Sequence, residues 1–402
     1  MLQQKKLMML GGIRYLLPAI EAAHKLGYYV ITCDYLPNNI AHKYSDEFVN
    51  ASVTDKELIL QIAREKNIAG IISYGVDPAV VTAAYVQQQL GLPSMGPYES
   101  VCILQDKDLF RSFLAKNGFN VPRMKVFTSL DDALSDKQWY QFPVIVKPTD
   151  GSGSKGVTRV DTFETLIPAI KHAFNFSRCK KIIVEEFIEK EGCSSDTDCF
   201  SVDGELKIVT FSAQRFDSDA ANPYTPSAYS WPSTFTAEQE AYLTSELQRA
   251  ISLLGMRTSL YNIETRIGIN HKPYIMEITP RAGGNRLAEM VRYATGADMV
   301  TAAVKAAMGE DVSDLKQLPY NGHWAEVILH AEKDGKFSKL LIHKSVNAEI
   351  IEEDLWVKNG DAVEAFNGAS NAIGTLILKF KTAEDLNKAM STQSEWLNVV
   401  VE

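Results

Sequence analysis

Phe142-Pro-Val-Ile-Val-Lys-Pro148 runs, one residue later, into Asp150-Gly-Ser-Gly-Ser-Lys-Gly156. The first piece reads as a buried strand that delivers Lys147. The second, built on Gly151, Ser152, Gly153, Ser154, Lys155 and Gly156, reads as a loop whose backbone N–H groups can close on an anion. A fixed ammonium beside such a loop suits phosphate; the same composition also makes an ordinary turn. It is not a Walker A loop. There, Ser or Thr follows the lysine and a helix comes next, whereas here Gly156 follows Lys155 and Val157–Val160 is strand-like.

Two further segments carry chemistry. Ile182-Ile-Val-Glu-Glu-Phe-Ile188 reads as a strand leaving a core, with Glu185 and Glu186 at its end and Phe187 and Ile188 as an apolar wall. Tyr261-Asn-Ile-Glu264 and Tyr274-Ile-Met-Glu277 read as a hairpin turning through Asn270–Pro273. That hairpin brings Glu264 and Glu277 to one end. Two hard oxygen ligands there suit Mg²⁺ shared with phosphates, and the alternative is two ordinary exposed acids. Pro280-Arg281-Ala282-Gly283-Gly284-Asn285-Arg286 follows, placing a guanidinium on a loop that permits close approach.

In this order the elements resemble the ATP-grasp superfamily, and the resemblance extends over essentially the whole chain. It implies an α/β and α+β architecture: an N-terminal βαβ (pre-ATP-grasp) domain at 1–97, an ATP-grasp domain at 98–310 with a central subdomain near 124–190, and a small mixed C-terminal domain at 311–402. It implies ATP and Mg²⁺ as cofactors. Lys107 and Lys147 would contact phosphates, Ser152–Gly156 would cover them, Glu185–Ile188 would hold adenine, and Glu264 and Glu277 would bind the metal. Arg281, with Lys155, would act at the reacting oxygen. Two positions depart from the family pattern. Gly192 falls where the ribose-binding glutamate is expected, leaving Glu191 as its substitute, and Thr279 stands where the metal motif commonly has asparagine.

The implied reaction is ligation: a small carboxylate is activated as an acyl phosphate and joined to an amine, with release of ADP and phosphate. The alternatives are a carbamoyl-phosphate synthase-like or phosphoribosylglycinamide synthetase-like acceptor, or a non-catalytic ATP-binding protein. Arg14, Arg215, Arg266, Asn285 and Arg286 are the candidates for holding the substrate, because arginine grips carboxylates bidentately.

Elsewhere the pattern is structural. Leu7–Leu10, Arg14–Leu26 and Tyr28–Cys33 form one βαβ unit, and Asp55–Leu90 a second. Gly11-Gly12 with Asp34 lacks the third glycine of a dinucleotide fingerprint. Ala213–Phe235 holds three prolines and reads as a long functional loop, after which Thr236 caps a helix.

The chain has 402 residues, enough for two or three units, and its 46% hydrophobic content is that of a globular protein. A net charge of −9 excludes a general attraction to nucleic acid or anionic membrane. Five cysteines without CxxC spacing point to a reducing cytoplasm, and Leu7–Ile13 is too short for a secretory signal. The expected partners are therefore small-molecule carboxylate and amine substrates, with a second copy of the chain as the macromolecular partner to look for.

Overall fold

The computed structural model describes residues 4–151, 153 and 155–402, so Ser152 and Ser154 lie outside the described residues. Its first sheet is parallel: β1 (Lys6–Leu10), β2 (Tyr29–Asp34), β3 (Glu47–Asn50) and β4 (Gly70–Ser73) pair in the order β3-β2-β1-β4. Both faces of β1 are buried. Leu7 and Met9 pack toward the helices Leu17–Lys25 and Met299–Ala307, while Met8 and Leu10 pack toward Lys56–Lys66 and Val80–Leu90. A strand covered on both sides must be apolar throughout, which is why Leu7–Leu10 shows no alternation.

The second sheet is antiparallel and carries the glycine loop. It comprises β5 (Met124–Phe127), β6 (Val144–Pro148), β7 (Thr158–Val160) and β8 (Ile182–Glu186), in the order β5-β8-β6-β7. The helix Phe163–Phe176 covers one face through Leu166, Ala169, Ile170 and Ala173. The loop between β6 and β7 is pinned at its base, where Asp150 accepts the N–H groups of Arg178 and Cys179 at 3.1 and 3.0 Å. At Gly156, φ is +73° and an added Cβ would lie 2.9 Å from Phe176, so a side chain is doubly disfavoured.

Further strands follow in chain order: β9 (Ser195–Val202), β10 (Glu205–Ile208), β11 (Ala213–Phe216), β12 (Pro226–Trp231), β13 (Ser259–Ile267), β14 (Pro273–Thr279) and β15 (His323–Leu329). The last five are β16 (Gly335–Ile342), β17 (Glu349–Leu355), β18 (Ala362–Val363), β19 (Gly374–Phe380) and β20 (Leu397–Val401). They build three sheets, ordered β10-β9-β13-β14, β11-β12-β15-β19-β17 and β18-β16-β20. The helix Ala237–Leu253 starts at Thr236 with a complete capping box to Gln239.

The stretch 213–235 is not the long loop its prolines suggest. β11 and β12 form a hairpin in it, and β12 is an inner strand with five consecutive buried residues. Pro226 opens β12 and Pro232 follows its end, so neither removes an interior ladder bond. Because β11 and β12 share a sheet with β15, β17 and β19, that sheet draws on both sides of the expected 310/311 boundary. None of the helices described is long and apolar enough to cross a membrane.

Candidate active site

Strand register sets the core of the site. Ile145 of β6 lies opposite Glu185 of β8, and Lys147 opposite Ile183, so Lys147 and Glu185 sit one diagonal apart on adjacent strands. The Lys147 ammonium meets Glu185 Oε2 at 2.5 Å, and Arg111 Nε donates to Oε1 at 2.7 Å. Arg111 also donates to the carbonyl of Met276 in β14 at 2.8 Å, tying the second sheet to the hairpin β13–β14. Glu185 is fully buried. Burial alone would raise its pKa, but Arg111 and Lys147 outweigh it and hold the carboxyl at about 2. Lys147 is displaced downward: burial and the charges of Arg111 and Lys107 outweigh the pull of Glu185. The two ion-paired cations thus share one carboxylate, Glu185.

The Glu185 side chain, which the sequence assigns to adenine, is engaged by Lys147 and Arg111. The rest of that segment leaves the sheet. Glu186 is exposed, Phe187 lies under the Arg159 guanidinium at 4.4 Å, and buried Ile188 accepts Arg266 Nη1 at 3.1 Å through its carbonyl. Glu191 is exposed and paired with His271 at 2.8 Å.

Lys107 begins the helix Lys107–Lys116, whose N-terminus Asp106 caps, and Arg111 lies one turn on along the same face. Lys107 Nζ donates to the Gly151 carbonyl at 2.7 Å. Lys107, Gly151, Asp77 and Glu277 line one cleft of about 310 Å³. Gly153 and Lys155 are exposed on the loop.

Glu264 and Glu277 are directly opposite in the β13–β14 ladder, as are Asn262 and Thr279 two residues away. Both pairs share a face. Arg266 approaches Glu264 at 3.5 Å. Burial would raise the Glu277 pKa, but Lys107, Arg281, Lys147 and Arg111 together hold it below the usual carboxylate value. The buried Thr279 hydroxyl has no hydrogen-bond partner among the described residues. Two opposed glutamates beside an orphaned hydroxyl, one of them lining the cleft of Lys107, fit a divalent cation that completes its shell from phosphate oxygens. Arg281, nearly buried, pairs with Asp77 at 2.5 Å and donates to its neighbour Ala282's carbonyl, so the N-terminal unit orients it.

Sequence reasoning missed Asp77, Arg111, Asp196 and Asp198. Asp196 lies opposite Glu264 in the ladder, and Asp198 opposite Asn262. The Gly283 N–H donates to Asp198 Oδ1 at 2.8 Å, in a space so tight that a Cβ there would lie 2.9 Å from that oxygen. Burial, with Glu264 adding to it, pushes Asp196 up to about 8, and burial pushes Asp198 up to about 7 against the Gly283 N–H and Arg281. The signal was present: Asp-x-Asp on a strand puts both acids on one face.

Among the proposed substrate contacts, Asn285 is buried between Tyr15 and Tyr229, accepting from the first at 2.8 Å and donating to the second at 3.4 Å. Arg286 is committed to Glu352 at 2.7 Å and to Glu289 at 2.9 Å. Both residues have positive φ, 55° and 58°, an unfavourable conformation for two successive non-glycines. Arg14 lies over Trp356 at 4.9 Å, and Arg215 makes long contacts of 3.4 Å to Ser230 and Asn387. Arg215 and Arg266 each keep a buried Nε without a partner among the described residues.

Residues 140–289 match the family model described as ATP-grasp domain. The carbamoyl phosphate synthase large chain of Thermoanaerobacter sp. (strain X514) is 26% identical over 302 residues, covering 74% of this chain and 27% of that protein. The chain thus spans about a quarter of that relative's length. Phosphoribosylglycinamide synthetase from Anaerococcus prevotii superposes over 100% of both chains, with a TM-score of 0.77 and 21% identity. An L-amino acid ligase from Bacillus licheniformis superposes over 100% of both, with a TM-score of 0.83 and 20% identity.

Proposed function

We propose that this chain, which carries an ATP-grasp domain, is an ATP-dependent ligase that converts a small carboxylate to its acyl phosphate and passes the acyl group to an amine. The observation that carries this is that Lys107 and Lys147 both bear on Glu277, which lies opposite Glu264 in the β13–β14 ladder, while Lys107 also reaches the base of the glycine loop at the Gly151 carbonyl. Lys147 is held by Glu185 at a fixed point, from which its ammonium can meet a polyphosphate. Mg²⁺, bound by Glu264 and Glu277 with the phosphates, would neutralise charge on the transferring group.

The chain's own part is alignment and charge compensation. Lys107 and Lys147 fix the phosphates, Arg281 is aimed by Asp77 at the oxygen that accumulates charge, and the glycine loop excludes water. The carboxylate oxygen attacks the γ-phosphorus and ADP leaves. The amine then attacks the acyl carbon, phosphate departs, and one proton is released. A second reading, with the acceptor chemistry of a carbamoyl phosphate synthase, is favoured by the relative above.

The ligase reading is tested by trapping. With Mg·ATP and hydroxylamine, a pool of carboxylic and amino acids is expected to yield a hydroxamate whose mass identifies the acid. ATP consumption with phosphate appearing stably on a substrate that lacks a carboxylate would overturn it. Mg·ATP at a hundredfold excess over Kd should stabilise the protein by about 2.7 kcal/mol in thermal or urea unfolding, and NAD should not.

Lys147→Met keeps the packing of the aliphatic stem and removes the charge. Loss of a charge-assisted contact worth about 1.5–3 kcal/mol lowers nucleotide affinity by roughly ten- to a hundredfold in calorimetric titration. A folded variant with undiminished affinity would make Lys147 a structural strand residue.

A further inference from the structure

The cleft of about 310 Å³ that holds Asp77, Lys107, Gly151 and Glu277 has an apolar side as well. Pro78, Val81 of the helix Val80–Leu90, and Leu109 of the helix Lys107–Lys116 line it too, and Leu109 is 47% exposed. Among the described residues, none of 185–191, which the sequence assigns to adenine and ribose, takes part in that lining. The cleft therefore joins the reacting end without including the adenine segment, which leaves it to the second substrate.

Asp77 stands where that space meets Arg281. The guanidinium reaches it with Nε at 2.7 Å and Nη2 at 2.5 Å, and both contacts fall on Oδ1. Oδ2 accepts no hydrogen bond among the described residues, and the Asp77 side chain is 22% exposed on the cleft. A carboxylate needed only to aim a guanidinium is served best by the two-pronged pairing, one N–H to each oxygen. Here one oxygen is left clear.

The other charged groups of the cleft have duties elsewhere. Asp106 caps the helix Lys107–Lys116 through the N–H groups of Asp108 and Leu109, and Lys107 donates to the Gly151 carbonyl. Asp150 accepts the N–H groups of Arg178 and Cys179 and pairs with the Arg178 guanidinium at 3.5 Å. Glu277 belongs to the carboxylate pair, and burial raises the pKa of Cys102, which keeps it a thiol. Among the acids of the cleft, Asp77 is the one paired with Arg281.

We propose that this cleft seats the amine acceptor and that Asp77 Oδ2 binds its ammonium and takes a proton from it as the C–N bond forms. The proposal rests on the ligase reading and adds to it the acceptor's place, its base and an apolar substituent packed against Pro78, Val81 and Leu109. One carboxylate then serves both partners of the step: Oδ1 aims Arg281 at the oxygen that gathers charge, and Oδ2 meets the nitrogen that must shed a proton. The ammonium gives one proton to Asp77, and the freed electron pair attacks the acyl carbon. As the bond to the phosphate oxygen breaks, the departing phosphate takes a second nitrogen proton, and Asp77 releases the first to solvent.

The test uses the full chain with Mg·ATP, the acid identified by hydroxamate trapping, and hydroxylamine, ammonia and the twenty standard amino acids as acceptors. Hydroxylamine is small and uncharged at neutral pH, so it needs neither the pocket nor the base. Asp77→Asn, whose amide oxygen still accepts from Arg281, should lower amide formation at pH 7 at least tenfold more than hydroxamate formation. Its amide rate should rise roughly fivefold or more between pH 7 and 8, following the free amine, while that of wild type changes less than twofold. Val81→Phe, which narrows the cleft, should raise KM for the acceptor at least tenfold and KM for ATP less than threefold. Amide and hydroxamate rates that fall together in Asp77→Asn, with the pH profile unaltered, would make Asp77 only a support for Arg281 and overturn the assignment. A pool in which no amine is acylated overturns it as well, and where Asp77→Asn does not fold, an unchanged acceptor KM in Val81→Phe does so. The ligase reading survives each of these, since hydroxamate still forms. ATP consumption without a hydroxamate from any acid overturns both.

Discussion

Glu185→Gln is expected to destabilise the protein by about 3–5 kcal/mol, because it leaves Arg111 and Lys147 as two buried cations without their shared anion. The carboxyl's own titration gives a figure of the same order. A pKa held at about 2 against an ordinary 4.5 corresponds to roughly 3 kcal/mol at 1.36 kcal/mol per unit. The sign follows from the depression: this stability is fully present above the ordinary carboxylate range and is lost as pH falls toward 2. Urea unfolding at pH 7 should therefore separate wild type from Glu185→Gln widely, and at pH 3 much less. Lys147→Met combined with Glu185→Gln should recover part of the loss, since one of the stranded cations is gone. Equal stabilities at pH 7 would mean that water reaches the triad and screens it.

Glu277→Gln should reduce ADP formation by about a hundredfold or more while leaving the unfolding midpoint within about 1 kcal/mol of wild type. The amide keeps the shape, but it is a weaker oxygen ligand and removes the negative charge facing Lys107, Arg281 and Lys147. Glu264→Gln should be similar or milder, because Arg266 already offsets part of its charge. The diagnostic is the metal dependence: raising Mg²⁺ should restore part of the Glu277→Gln rate. Full activity of this variant at low Mg²⁺ would remove the carboxylate pair from the reaction.

What could be read from the sequence was whatever local order fixes. Leu7–Leu10, the strand ending in Lys147, the hairpin of Glu264 and Glu277, and the capped helix after Thr236 all declare themselves within a few residues, through period, caps and turn chemistry. The ATP-grasp resemblance followed from the order of those elements. Partnerships across long separations did not declare themselves. Arg281 is oriented by Asp77 from more than two hundred residues upstream, and Glu185 by Arg111, 74 residues before it. Glu185 shows the difference: its position at a strand end was legible, but the direction of its side chain depended on a helix elsewhere in the chain. Residues 213–235 failed for a related reason. Prolines that bracket a strand look like loop residues until the neighbouring strand, β15, is known to lie beside it.

That same neighbour relation bears on how the chain is made. β12 is complete about 90 residues before β15 is synthesised, and at 5–20 residues per second the ribosome needs roughly 5–20 s to supply it. Throughout that interval the hairpin of β11 and β12 has an open edge next to Tyr229 and Trp231, both almost wholly covered in the finished protein. The nascent chain thus passes through a stage at which an inner strand waits for a partner, and slow translation between residues 232 and 323 lengthens the exposure. Aggregation during rapid overexpression should accordingly concentrate in chains arrested before residue 323, and holdase chaperones should bind those fragments better than the finished protein.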